Sequence, residues 1–339
     1  MKRLKIMSAV LLVVVMVAST AIGCGRGEQT EKPITLRLAH EYIEGSPSGK
    51  RVQEFADRVE QATDGKVKIE VYPFGALTKG FALWTDTVRG LVDMSFALDY
   101  VLNVVDPGLY LGGLVYNFSE WEQAYQFAQH PDGAQKVLNM LEQYGVKGLG
   151  LYPATLQLIT VANREIKSWR DLKGLRVMGI GGDVGDTYGK ITGVQFVFVP
   201  PIELYSPLAQ GLIDAAHTSP IVVWGTRLYE VTRYGYMWNF GVQFAHLWMN
   251  MGVWNKLPAE YQEIMLQTAR DLAPWHLQLV KDEDRKAIEE LGKVMTLHRE
   301  SEEDRLEIKQ LWQEALEKKG YYRNYDPELL ALARELGSK

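Results

Sequence analysis

The feature that most constrains the fold is a short pattern that occurs twice. Residues 87–93 read Thr-Val-Arg-Gly-Leu-Val-Asp, and residues 208–214 read Leu-Ala-Gln-Gly-Leu-Ile-Asp. In both segments the glycine is typical of a helix end, and a short apolar strand follows. Because each copy lies at an equivalent point of a strand-helix-strand stretch, the pattern predicts an α/β fold with two lobes of similar topology. A cleft between the lobes is then the expected binding site.

Local patterns supply the elements of each lobe. Alternating apolar residues predict strands, and the Ser46-Pro47 pair is typical of a helix start, with serine as N-cap and proline at the first helical position. Helices are expected from Ser46-Pro47 to Gly65 and from the Gly-rich turn 179–182 to about Gly193, and strands at 34–40, 66–71, 175–178 and 194–199.

Residues 258–293 carry a continuous apolar stripe at helical spacing. Such a helix would be on the order of 50 Å long, so we expect it to lie over both lobes, with a kink at Pro274. A last helix is expected at 301–319, with an exposed charged face. The predicted domains are a signal peptide at 1–23, a tether at 24–33, lobe I at 34–155 with parts of 245–290, and lobe II at 156–244 with the C-terminal helices to 339.

The N-terminus has the pattern of an export signal. Lys2, Arg3 and Lys5 precede residues 6–22, which carry no charge and are nearly long enough to span a bilayer. The run ends in Ala-Ile-Gly before Cys24, which resembles a bacterial lipobox, the motif whose cysteine is diacylated and becomes the first mature residue. We therefore expect a protein attached to the outer face of the cell membrane, or in the periplasm, by a lipid at Cys24.

Charge and cysteine content argue against a nucleic-acid-binding protein and against a disulfide-stabilised one. Loss of residues 1–23 would change the formal charge from -5 to about -8, so nucleic acid is not an expected partner. Cys24 is the only cysteine, so no intramolecular disulfide can form and an apolar core must stabilise the lobes.

Segments along nearly the whole mature chain resemble the solute receptors of tripartite ATP-independent periplasmic (TRAP) transporters. The matching segments are LRLAH, FADRVEQATDGKVKIEVYPFGAL, GLVDMSFA, DLKGLRV, ELYSPLAQGLIDA, LYEVTRYGYMWN and VWNKLPAEYQEI. The resemblance implies a two-lobed periplasmic binding protein-like fold with hinge strands and a long bridging helix. It also implies a receptor that closes over one small organic solute and delivers it to two membrane subunits.

In most receptors of this family an arginine clamps a ligand carboxylate, because the guanidinium donates two parallel hydrogen bonds. The resemblance places Met178 at that position and Gln157 at a second arginine position in the hinge strand. Two cations remain as alternatives, Arg176, which shares the strand face of Met178, and Lys79 in a contact loop. We therefore expect a ligand that does not depend on the usual clamp.

His217 occupies a position that, in one branch of the family, holds a metal-ligating glutamate. No metal-ligand cluster accompanies it, so we expect a hydrogen-bonding role and neither metal nor cofactor. Leu98 and Pro201 map to further contact positions, where they replace acidic or aromatic groups. The other expected ligand contacts are Glu41, Tyr42, Phe74, Tyr100, Thr218, Trp238 and Asn239, with Tyr152 as a further wall residue.

Two alternatives remain open. An enzyme would need a catalytic motif, and the sequence contains neither a Gly-x-Ser-x-Gly elbow, a phosphate-binding loop nor a His-Glu-x-x-His pair. A ligand-sensing or ABC-type solute-binding lipoprotein would share the exported two-lobed architecture, and the helix that begins near Pro258 favours the TRAP family over it.

Overall fold

Two mixed sheets organise the part of the chain that the computed structural model describes, residues 32–114, 116–179, 182–238 and 241–338. The predicted signal peptide, Cys24 and Asn239 lie outside these residues. The strands are β1 (Ile34–His40), β2 (Val67–Tyr72), β3 (Met94–Leu98), β4 (Val146–Thr155), β5 (Leu158–Ala162), β6 (Arg176–Met178), β7 (Gln195–Val197), β8 (Ala215–Thr218), β9 (Tyr234–Trp238), β10 (Gln243–Asn250) and β11 (Thr296–Arg299).

Helices surround the two sheets. The helices of the described residues are α1 (Pro47–Ala62), α2 (Ala82–Val88), α3 (Trp121–Gln129), α4 (Lys136–Met140), α5 (Gly182–Thr192), α6 (Tyr205–Ala209), α7 (Pro220–Gly225), α8 (Met251–Trp254), α9 (Ala259–Asp271), α10 (Ala273–Val294), α11 (Glu302–Lys318) and α12 (Pro327–Gly337). The Ser46 hydroxyl accepts a hydrogen bond from the Gly49 N–H at 3.3 Å, which confirms the predicted N-cap of α1. No helix among the described residues is long and apolar enough to cross a membrane.

The two sheets repeat one topology. The first has the order β2-β1-β3-β10-β4, and the second has the order β7-β6-β8-β5-β9-β11. In the first sheet β1 pairs in parallel with β2 and β3, and in the second β6 pairs in parallel with β7 and β8. In each sheet an antiparallel strand follows, β10 beside β3 and β5 beside β8. The chain therefore passes between the sheets three times, from β4 to β5, from β9 to β10 and, through the helices α8 to α10, from β10 to β11.

The aspartates of the repeated pattern make equivalent contacts in the two sheets. Asp93 accepts hydrogen bonds from the backbone N–H of Arg37 at 2.8 Å and from its Nε at 3.1 Å. Asp214 accepts the same two bonds from Arg176, at 2.8 and 3.0 Å. Each aspartate returns its own N–H to the carbonyl of that arginine, at 3.1 and 2.8 Å. The pattern therefore fixes the start of each parallel strand pair, as the prediction of two similar lobes requires.

The predicted long helix is divided at Leu272 into α9 and α10. Pro274 has no N–H, so the carbonyl of Arg270 lacks its helical donor, and the helix breaks at that turn. Helix α10 packs against α1 and β4 of the first sheet and against α7 and β11 of the second. It therefore contacts both lobes, as expected.

The C-terminal helices pack on different lobes. Helix α11 packs against α5 beside the second sheet, whereas α12 packs against α3, which lies on β4 of the first sheet. The expectation that all C-terminal helices belong to lobe II is therefore corrected for α12. We propose that the chain passes from lobe I to lobe II near Leu156 and returns to lobe I near Val242. The predicted bounds of the signal peptide and of the tether remain proposals.

Candidate functional site

Two adjoining cavities lie where the carboxyl ends of parallel strands from both sheets meet. Each has a volume of about 90 Å³. This is the usual ligand position in open α/β sheets. Four residues line both cavities, so together the cavities form one cleft: Leu98, Pro201, Thr218 and Gln243.

The first cavity is enclosed largely by rings, and we call it the aromatic cavity. Its rings come from both lobes and from α11, and they are Tyr100, Tyr110, Tyr188, Phe196, Phe198 and Trp312, together with the His217 imidazole. Tyr188 stacks on Phe196 with 5.6 Å between ring centroids. Leu158 and Met178 complete its apolar wall. Such a wall favours a ligand with an apolar or aromatic body.

His217 supplies a neutral polar group to the aromatic cavity. Its Nδ1 lies 2.9 Å from the hydroxyl of Thr160, and that hydroxyl accepts a hydrogen bond from the Trp238 indole at 2.7 Å. Thr160 is fully buried, so we infer that its hydroxyl proton is donated to Nδ1 and that the imidazole proton is on Nε2. Burial lowers the pKa of His217 to about 4, so the ring is uncharged at neutral pH.

The second cavity contains a buried carboxylate, and we call it the Glu41 cavity. Glu41 follows β1 and is 6% exposed. One of its oxygens accepts the Tyr100 hydroxyl at 2.6 Å, and the other accepts the Gly80 N–H at 3.0 Å. All three residues belong to the first lobe, so the carboxylate is fixed before any ligand is added. Tyr42 and Ser48 also line this cavity.

The two lobes also touch beside the cleft. The rings of Phe81 and Phe198 lie 5.2 Å apart, and Lys79 forms an ion pair with Glu203. Both members of the ion pair are about half exposed, so we expect it to add little stability. These two contacts join a loop of the first lobe to the second lobe at the edge of the cleft.

The family model of the bacterial extracellular solute-binding proteins, family 7 (DctP), matches residues 38–322. This chain belongs to that family. It is an extracytoplasmic receptor of the TRAP type that binds a small organic solute. The sequence resemblance and the two-lobed fold class are thereby confirmed.

Individual relatives agree with this assignment. A solute-binding protein of Albidiferax ferrireducens is 29% identical over 266 residues, which cover 74% of this chain and 75% of the relative. The C4-dicarboxylate-binding periplasmic protein DctP of Rhodobacter capsulatus is 24% identical over 288 residues, covering 84% and 85%. The sugar acid binding protein DctPAm of Advenella mimigardefordensis, solved with galactonate, superposes with a TM-score of 0.84 at 20% identity, covering 91% and 98%.

The structure brings most of the predicted contacts of the receptor together. Tyr100, Met178, His217 and Thr218 line the aromatic cavity, as do the mapped positions Leu98 and Pro201. Glu41, Tyr42 and Thr218 line the Glu41 cavity.

Three predicted wall residues lie elsewhere. Trp238 is buried beside His217 and holds Thr160, without lining either cavity. Phe74 is 50% exposed and lies outside both cavities. Tyr152 is buried in the first lobe, where its hydroxyl donates to the carbonyl of Ala269 at 3.0 Å.

Two of the predicted ligand contacts, Gln157 in the hinge and Arg176 in β6, need correction. Gln157 lines neither cavity, whereas its neighbour Leu158 lines the aromatic cavity, because adjacent residues of an extended chain face opposite sides. Arg176 is bound by Asp214 at 2.7 Å and by the carbonyl of Gly211 at 2.8 Å, and it lines neither cavity. We therefore leave Gln157 and Arg176 out of the proposed site.

Sequence reasoning missed several lining residues of the aromatic cavity. The ring-bearing and amide side chains among them are Tyr110, Tyr188, Phe196, Phe198, Gln243 and Trp312. Gln243 begins β10, directly after the chain returns from the second sheet to the first. Its position near the cleft could have been inferred from that return. Trp312 reaches the cleft from α11, and no local pattern signals that contact. Among the described residues, no three His, Cys, Asp or Glu side chains cluster as a metal site would require.

Proposed function

We propose that this receptor captures its solute without an arginine-carboxylate pair and delivers it to TRAP membrane subunits while anchored by a lipid at Cys24. One observation supports the first part. Neither cavity has a lysine or arginine among its described lining residues, and Met178 lines the aromatic cavity where the family resemblance implies an arginine. The internal positions that the structure does not describe, 115, 180, 181, 239 and 240, hold no charged residue either.

The energetic argument concerns a carboxylate ligand. Moving a carboxylate from water into a closed apolar cleft costs several kcal/mol unless a cation or several donors compensate it. Neutral His217, Thr218 and Gln243 offer few such donors, and Glu41 would add repulsion. A solute without a carboxylate avoids this cost.

A thermal-shift screen of the mature wild-type receptor tests this proposal. Succinate represents the C4-dicarboxylates named for one relative, and galactonate is the ligand of a similar solved structure. Each should change the melting temperature by less than about 1 °C at millimolar concentration. A cognate uncharged or cationic solute at a hundredfold excess over its dissociation constant should raise it by about 5 °C. Stabilisation by simple carboxylates would contradict the proposal.

The lipid anchor is a separate prediction. In a bacterial host fed radiolabelled palmitate, the wild-type chain should become labelled, because Cys24 is its only thiol and follows the uncharged segment. The Cys24→Ser variant should lose the label completely. The Ser19→Ala variant, altered in the same segment, should keep it. Label on Cys24→Ser, or a mature N-terminus elsewhere than residue 24 by mass spectrometry, would contradict the anchor.

We also infer that the cleft performs no covalent chemistry. Among the described residues beside the cleft, a hydroxyl and an imidazole meet at Thr160 and His217, 2.9 Å apart, as a nucleophile and its base would. Thr160 is fully buried and does not line either cavity, so no solute can reach its hydroxyl. The pair therefore fits a positioning role for the imidazole.

A further inference from the structure

Glu41 is a buried acid for which the described protein supplies no cation. Within the described ranges no ion pair with a lysine, arginine or histidine involves its carboxylate, and the hydrogen bonds that it accepts there come from neutral groups, the Tyr100 hydroxyl and the Gly80 N–H. Buried charges in proteins are normally paired, because an isolated one loses its hydration without compensation. Each oxygen of Glu41 has accepted one bond and retains a further lone pair.

The rest of the cleft also suits an organic cation. Glu41 is the only charged side chain among the described residues that line the two cavities. The aromatic cavity adjoins it, since the ring of Tyr100 lines that cavity while its hydroxyl binds Glu41. Faces of aromatic rings attract organic cations, and the attraction grows as water is excluded.

We propose that the solute is an organic ammonium compound with an apolar body. Its ammonium group would donate to Glu41, and its body would lie among the rings of the aromatic cavity. The inference rests on the proposed function and narrows it, since a receptor without the arginine clamp could also bind uncharged solutes. Closure over the ammonium group would give Glu41 the cation that its burial calls for.

Calorimetric titration of the mature receptor with three probes of similar size tests the ammonium preference. Benzylamine is cationic, benzyl alcohol is neutral, and phenylacetate is anionic. Benzylamine should bind about 30-fold more tightly than benzyl alcohol, which corresponds to one buried charge-assisted hydrogen bond, and phenylacetate should not bind. This comparison uses the wild-type chain, so it does not depend on the folding of any variant.

A matched pair of variants tests the role of Glu41. Glu41→Gln should remove the 30-fold preference for benzylamine, whereas Glu44→Gln should keep it, because Glu44 lies in the same loop, is exposed and lines neither cavity. Melting temperatures report whether both variants fold.

The outcomes separate the two proposals. Equal binding of benzyl alcohol and benzylamine, or a benzylamine preference that survives Glu41→Gln, would overturn the ammonium inference and leave the proposed function standing. Tightest binding of phenylacetate would overturn both. Absence of binding by all three probes would overturn the inference, and the carboxylate screen would still decide the proposed function.

Discussion

Replacing Met178 with arginine is expected to make the receptor bind small carboxylates about a thousandfold more tightly than the wild type. Met178 ends β6, is 8% exposed and lines the aromatic cavity. A guanidinium at this position could donate two parallel hydrogen bonds to a carboxylate and offset its loss of hydration. Titration calorimetry with succinate and galactonate, together with melting temperatures, measures the gain.

A neighbouring position provides the control for this substitution. Val197 pairs with Met178 across β6 and β7, is 37% exposed and lines neither cavity. Val197→Arg adds the same charge to the same lobe, so it should leave carboxylate binding undetectable. A folded Met178→Arg receptor that also ignores carboxylates would show that this side chain does not reach the ligand.

The fold could be predicted further than the site, because the fold depends on local patterns. Gly90 and Gly211 have φ of 73° and 66°, a left-handed conformation that favours glycine, and the repeated pattern identified both as helix ends. Strand alternation located β1 and β2 to within a residue. The break in the long helix followed from Pro274 alone, although the chemistry of proline could not say whether the helix would bend or divide.

The site required information that local patterns do not hold. The family resemblance placed Gln157 in the ligand site, but the residue that lines the cavity is its neighbour Leu158. In an extended strand an error of one residue selects the opposite face. Arg176 and Met178 share a strand face, but only the structure shows that Asp214 holds the guanidinium away from the cavities. Trp312 and Tyr110 reach the cleft from distant parts of the chain, and tertiary packing alone brings them there.

Asp99 is a buried carboxyl beside the cleft, and its protonation affects the stability of the receptor. It lies between Leu98 and Tyr100, which both line the cleft, and it is 2% exposed. Burial raises its pKa to about 8, against the opposing effect of hydrogen bonds from the backbone N–H groups of Leu111 and of Asp99 itself. One oxygen, Oδ2, has no hydrogen-bond partner within the described ranges. The folded receptor therefore holds Asp99 protonated at neutral pH.

Asp99→Asn is expected to gain stability relative to the wild type by about 2 to 3 kcal/mol between about pH 6 and about pH 9. A carboxyl whose pKa is higher in the folded state stabilises fully below its unfolded pKa, and this contribution is lost as the pH rises through about 8. Asparagine does not titrate, so the variant escapes that loss. Urea unfolding of both proteins across this range measures the difference.

The exposed Asp186 provides the control for Asp99, because its carboxylate is hydrated in the folded and the unfolded chain. The free energy of unfolding of Asp186→Asn should differ from that of the wild type by a constant amount over the same pH range. Burial raises the pKa of the tyrosines near Asp99, among them Tyr42 and Tyr110, well above the ordinary value, so these groups stay protonated over this pH range. A pH-independent difference for Asp99→Asn would mean that Asp99 is already ionised in the folded receptor, and that the loop carrying Tyr100 is held around a charge.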